Sequence, residues 1–290
     1  MFTGAMVALV TPFQEGAVDF DTLDELIDFQ IDNGIDALVP VGTTGESPTL
    51  SYDEHKQVIE RVVKGADGKV PVIAGAGANS TAEAIEMTAY AKKIGADATL
   101  QVGPYYNKPT QEGFYQHFKA IAEEVDLPIV LYNIPGRCGA GMTPETIARL
   151  AEIENIVGIK EATGSLDQAS EIAMRCDLTI VSGDDSLTLP LASVGGKGVI
   201  SVVANIVPAD VKAMTDLILE GDLVQARQWH RKLFALSKNL LTISTNPIPI
   251  KAAMAMLDMA SDELRLPMTP LEESKKAGLR KTLEAYGLLS

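Results

Sequence analysis

Short apolar runs recur along the chain, separated by segments with helical periodicity. The runs fall at 5–10, 37–41, 70–74, 98–102, 129–132, 157–160, 179–182 and 199–202. Most are continuous rather than alternating, the pattern of parallel strands covered on both faces. The segments between them carry helix starts. Ser51-Tyr52-Asp53-Glu54 and Ser80-Thr81-Ala82-Glu83 have the form of capping boxes, as has Ser165-Leu166-Asp167-Gln168. Thr143-Pro144 and Val207-Pro208 place proline at a first helical position. Eight strands, each followed by a helix, predict a closed (β/α)8 TIM barrel over residues 1–221. An open doubly wound sheet would want a glycine-rich turn after its first strand, and Thr11-Pro12-Phe13 is not one. Gly75-Ala76-Gly77-Ala78-Asn79-Ser80 follows the third strand and lacks the third glycine of a dinucleotide turn.

After residue 221 the pattern changes. Residues 222–242, 247–259 and 271–286 read as helices with no strand between them, the last capped by Thr269-Pro270-Leu271-Glu272. Residues 222–290 are therefore expected to form a C-terminal helical extension packed on the barrel.

Composition narrows the function. With 290 residues and 46% hydrophobic content, the chain can build one large core. A net charge of −15 argues against nucleic acid and anionic membranes as partners. Cys138 and Cys176 have no metal-ligand spacing, and the three histidines are far apart, so no metal site is expected. No run approaches the length of a membrane span and no signal peptide opens the chain, which predicts a soluble cytoplasmic protein.

In such a barrel the chemistry belongs to the C-terminal ends of the strands. Read there, the sequence gives Gly42-Thr43-Thr44-Gly45-Glu46, Gly103-Pro104-Tyr105-Tyr106-Asn107, Tyr132-Asn133 with Arg137 beyond, Lys160, Gly183-Asp184-Asp185 and Gly198-Val199-Ile200-Ser201. A free lysine is neutral at pH 7 only about once in a few thousand. One at the mouth of an apolar strand is pushed toward its neutral form, a nucleophile for ketones and aldehydes. A phenol such as Tyr132 beside it suits proton transfer. The threonine-rich turn is a nest of N–H groups for a carboxylate, and Arg137 suits a second carboxylate. The Asp184-Asp185 pair is expected to cap the next helix. Each group also has a plain structural use, as turn, core tyrosine or surface arginine; the convergence is what points to carbonyl chemistry on a small anion.

These segments, with Gly158-Ile159-Lys160-Glu161-Ala162, Tyr132-Asn133-Ile134-Pro135-Gly136-Arg137 and Asn246-Pro247-Ile248-Pro249-Ile250-Lys251, resemble the pyruvate-dependent class I aldolases of the dihydrodipicolinate synthase and N-acetylneuraminate lyase family. The resemblance runs over nearly the whole chain. It implies that Lys160 forms a Schiff base with pyruvate. It implies a hydroxyl relay of Tyr132, Thr43 and Tyr106, with Tyr106 from a neighbouring subunit of a homotetramer built as a dimer of dimers. Thr43 and Thr44 would hold the pyruvate carboxylate and Arg137 that of L-aspartate 4-semialdehyde, while Gly183 and Ile200 line the pocket. Gly136-Arg137 favours the synthase branch, which serves diaminopimelate and lysine biosynthesis, over an aldolase for a sugar-derived 2-keto acid. A non-catalytic carboxylate-binding barrel is the remote alternative. No cofactor is implied, because a protonated imine is itself the electron sink. Ser47, His55, Asn79, Glu83 and Tyr105 match the lysine feedback site of sensitive members, whereas Pro48 and Tyr52 depart from their usual alanine and histidine.

Overall fold

The computed structural model describes residues 2–290. Eight parallel strands run in it: β1 Gly4–Ala8, β2 Ala37–Val39, β3 Ile73–Gly75, β4 Ala98–Val102, β5 Ile129–Asn133, β6 Ile156–Glu161, β7 Thr179–Ser182 and β8 Gly198–Ser201. Their spatial order is β2-β1-β8-β7-β6-β5-β4-β3. A parallel bridge between Leu38 and Val72 joins the two ends and closes a TIM barrel. The continuous apolar runs are explained by burial on both faces. Met6, Ala8, Val39, Leu100, Tyr132 and Ile200 fill the interior. Alternate residues such as Ala5, Val7 and Leu38 face the surrounding helices.

The strand ends differ from the sequence expectation where the backbone forbids pairing. β2 stops at Val39, and Val41 takes a left-handed φ of 53°, unusual for a β-branched residue. β3 starts late because Pro71 has no N–H to give the ladder; its carbonyl instead accepts from Leu38 at 3.0 Å. A small antiparallel hairpin, Phe13–Gln14 with Ala17–Val18, precedes the first helix and has no counterpart in the apolar pattern. Its turn residues Glu15 and Gly16 both have positive φ, so Glu-Gly is its sequence signal.

Most helix starts follow their caps. Ser51 and Glu54 make the reciprocal capping box, and Thr143 and Ser165 accept from the third residues of their helices. Ser80 is an N-cap without a side-chain bond. The C-terminal segment forms helices Leu223–Thr242, Ile248–Met256 and Glu273–Tyr286. The second ends three residues early, shortly before Asp258 takes a φ of 54°. The third starts at Glu273, after Thr269, so the expected threonine cap is not used. Leu236, Leu240, Ile250, Met254 and Leu283 join one apolar cluster with Leu9, Val41 and Val203 of the barrel. None of the described helices is long and apolar enough to cross a membrane.

Candidate active site

β5 and β6 pair in parallel with Tyr132 opposite Lys160. Since Leu131 and Ile159 face the outer cluster, the alternation of a strand turns Tyr132 and Lys160 inward together. The Lys160 amine lies 4.4 Å from the centroid of the Tyr132 ring. Both residues are buried. Burial lowers the Lys160 pKa to about 8; the Asp185 carboxylate opposes the fall and Arg137 adds to it. Burial also raises the Tyr132 phenol to about 12, against the pull of Arg137 and of the Thr43 hydroxyl. The pair is thus an amine far more readily neutral than a free lysine, beside a phenol that keeps its proton. Space for Lys160 depends on Gly183, where a Cβ would stand 3.1 Å from Lys160 Cε and closer still to Ala162.

Asp185 is the functional residue that sequence reasoning misassigned. Asp184 does cap the following turn, its side chain accepting from Ser186 N. Asp185 instead turns inward, accepting from Ser201 Oγ, from Val202 N at 2.9 Å and from Val203 N at 3.3 Å. Burial raises its pKa to about 6, so at neutral pH it is a carboxylate near the Lys160 ammonium.

The turn 42–46 closes on itself through Gly45 N to Gly42 O at 3.1 Å and Glu46 N to Thr43 O at 3.1 Å. At Gly45 a Cβ would lie 2.9 Å from Val41 N and 3.1 Å from Leu9 O, so only glycine fits. Glu46 continues the turn with φ 55° and buries its carboxylate against Lys251 Nζ at 2.5 Å, both side chains at most 2% exposed. Its other oxygen accepts from Arg265 N at 3.2 Å. Asn246 Nδ2 donates to Thr44 Oγ1 at 3.0 Å, and Asn246 O accepts from Arg137 Nη2 at 3.0 Å. The C-terminal extension therefore braces the turn and the arginine. The Asn246–Lys251 motif is visible in the sequence, but not its reach across about two hundred residues.

A cavity of about 240 Å³ opens above these groups, lined by Gly42, Thr43, Ser47, Tyr105, Tyr132 and Arg137 among others. Lys160, Thr44, Gly183 and Ile200 do not line it; Tyr132 joins the cavity to Lys160. Ile200 belongs to the barrel interior with Tyr132 and Val181. Tyr106 stands apart, 90% exposed on a backbone of φ 71°. Of the candidate feedback residues, Asn79 donates to Tyr105 O at 3.1 Å, and Glu83 acts electrostatically on Tyr105. The His55 ring is tied to Gly75 O at 2.7 Å. Among the described residues, no group of three His, Cys, Asp or Glu side chains is placed to hold a metal.

Known proteins with this pattern are numerous. The sequence profile of the dihydrodipicolinate synthetase family matches residues 1–286. A 4-hydroxy-tetrahydrodipicolinate synthase from Geotalea uraniireducens is 56% identical over the full length of both chains. That from Pelobacter propionicus is 54% identical, again over the full length of both. The crystal structure of dihydrodipicolinate synthase from Aquifex aeolicus superposes with a TM-score of 0.97 at 51% identity, covering 99% of each chain.

Proposed function

The chain belongs to the dihydrodipicolinate synthetase family, and we propose that Lys160 is the residue through which it condenses pyruvate with L-aspartate 4-semialdehyde to give 4-hydroxy-tetrahydrodipicolinate. The carrying observation is the buried Lys160 amine, lowered to about 8, against the ring of Tyr132.

The neutral amine adds to the ketone carbon of pyruvate, and loss of water gives the protonated imine. A methyl proton leaves that imine, its electron pair moving toward nitrogen to form the enamine. Tyr132, with Thr43 behind it, carries protons to and from the reacting atoms. The enamine carbon attacks the aldehyde carbon of the semialdehyde, whose oxygen takes a proton. The amine of the bound semialdehyde then attacks the imine carbon, closes the ring and releases Lys160. Thr43 and Thr44, on the braced turn, receive the pyruvate carboxylate. Arg137, fixed by Asn246 O, receives the carboxylate of the semialdehyde. Gly183 leaves room for Lys160, and Ile200 packs in the barrel interior with Tyr132.

The barrel, residues 1–221, carries this chemistry, and residues 222–290 support it. The exposure of Tyr106 supports a site completed across a subunit interface in a homotetramer of two dimers. Ser47 and Tyr105 line one part of the cavity, Asn79 donates to Tyr105 O, Glu83 acts electrostatically on Tyr105 and the His55 ring is tied to Gly75 O, a grouping that supports an allosteric lysine site beside the active site. Cys138 and Cys176 are free thiols, in keeping with a reducing cytoplasm.

Substrate choice rests on Arg137. Turnover is expected with pyruvate and the semialdehyde but not with pyruvate and sugar aldehydes. Arg137→Ala should weaken use of the semialdehyde by about tenfold or more, the value of a lost charge-assisted hydrogen bond, while pyruvate imine formation changes little. Equal losses in both steps would make Arg137 a scaffold residue, and turnover of sugar aldehydes alone would favour the sugar-acid aldolase.

A further inference from the structure

Asn246 is buried, and its side chain makes no hydrogen bond within its own segment among the described residues. Its Nδ2 donates to Thr44 Oγ1 at 3.0 Å, a contact between residues 202 apart in sequence. Its Oδ1 is buried without any partner among the described residues. Most buried side-chain polar atoms have a partner; in this amide only the end that meets the turn has one. Meanwhile its backbone carbonyl holds Arg137.

We propose that Asn246 is a positioning residue that sets the polarity of the Thr44 hydroxyl. A hydroxyl has one proton to give and two lone pairs to receive. With Nδ2 occupying a lone pair of Thr44 Oγ1, the Thr44 proton is directed away from the extension. No acceptor among the described residues takes it. It is therefore free to donate to a carboxylate on the turn, which in the proposed reaction is that of pyruvate. The hydroxyl arrives already oriented, so binding does not have to order it. The division of labour is specific. The Asn246 side chain serves the pyruvate end, and its backbone carbonyl serves Arg137 and the semialdehyde end.

Asn246→Asp keeps the size of the side chain but offers Thr44 only acceptors, so the Thr44 proton is drawn back into the protein. Asn246→Ala removes the orienting donor and keeps the backbone carbonyl. Steady-state kinetics of both variants should show the KM for pyruvate raised by about tenfold, the worth of a hydrogen bond to a charged group. In Asn246→Ala the KM for the semialdehyde should change by less than about twofold, since Arg137 keeps its partner. In a Thr44→Val background, Asn246→Ala should add little to the pyruvate KM, because the residue acts through Thr44. A wild-type pyruvate KM in the Asp variant would overturn the proposal. So would additive effects with Thr44→Val, or equal rises for both substrates. Should the alanine variant fail to fold, the isosteric aspartate variant decides. Borohydride trapping of pyruvate on the wild type is the control: absence of an adduct at Lys160 removes the Schiff-base reaction on which the proposal rests, whereas an adduct with unaltered variant KM values removes only the role of Asn246.

Discussion

Lys160 and Asp185 are both buried, and the Asp185 carboxylate holds the lysine pKa up against the effect of burial. Imine formation needs the neutral amine, whose fraction grows as pH rises through the lysine pKa of about 8. The rate of pyruvate imine formation should therefore climb from about pH 6 toward about pH 9 and then level. Asp185, at about 6, is half ionised at the start of that range and almost fully ionised near the lysine midpoint, where it favours the ammonium. Asp185→Asn removes this support, so the midpoint of the profile should move to lower pH. Trapping rates measured across pH test the sign: an unchanged midpoint, or one displaced upward, contradicts it. Lys160 and Tyr132 were legible in the sequence because each closes an apolar run, and a polar head at the C-terminal end of a barrel strand faces the mouth where the chemistry lies. Asp185 was not, because the sequence of two adjacent aspartates does not say which one turns inward. Only the position of Ser201 and of the Val202 and Val203 N–H groups at the end of β8 decides it.

The turn 42–46 and the helix Ile248–Met256 are held together by one buried ion pair, Glu46 with Lys251. The Lys251 ammonium also donates to Glu263 O at 2.7 Å and lies 4.2 Å from the centroid of the Phe13 ring. Removing one partner leaves the other charged and dry. Glu46→Ala should lower stability by about 3–5 kcal/mol in denaturant unfolding, whereas the double change Glu46→Met with Lys251→Met should recover much of the loss. A loss below about 1 kcal/mol for Glu46→Ala would show the pair to be solvated. Strands and most caps could be read from local pattern, since burial on two faces leaves continuous apolar runs. The hairpin at Phe13 is too short to make such a run. The Glu46–Lys251 pair joins residues 205 apart, and no local signal carries that.

The barrel as a whole was readable because its strand count, strand character and helix starts agree, and the superposition at a TM-score of 0.97 shows the same architecture in a solved relative. What pattern alone could not give is where Tyr106 stands. Tyr106 is 90% exposed and does not line the cavity it is expected to serve, although Tyr105 beside it does. Mixed dimers of Tyr106→Phe and Lys160→Ala subunits should regain one complete site each if the tyrosine acts across an interface. Verified mixed dimers as inactive as their parents would exclude a shared site. The central claim, that Lys160 is the covalent residue, has a more direct test. The protein is incubated with pyruvate, reduced with borohydride and mapped by peptide mass spectrometry. The expected result is a reduced pyruvyl adduct on Lys160 alone, with activity lost in step. Adducts on other lysines with activity retained, or no adduct under conditions of full turnover, would contradict it.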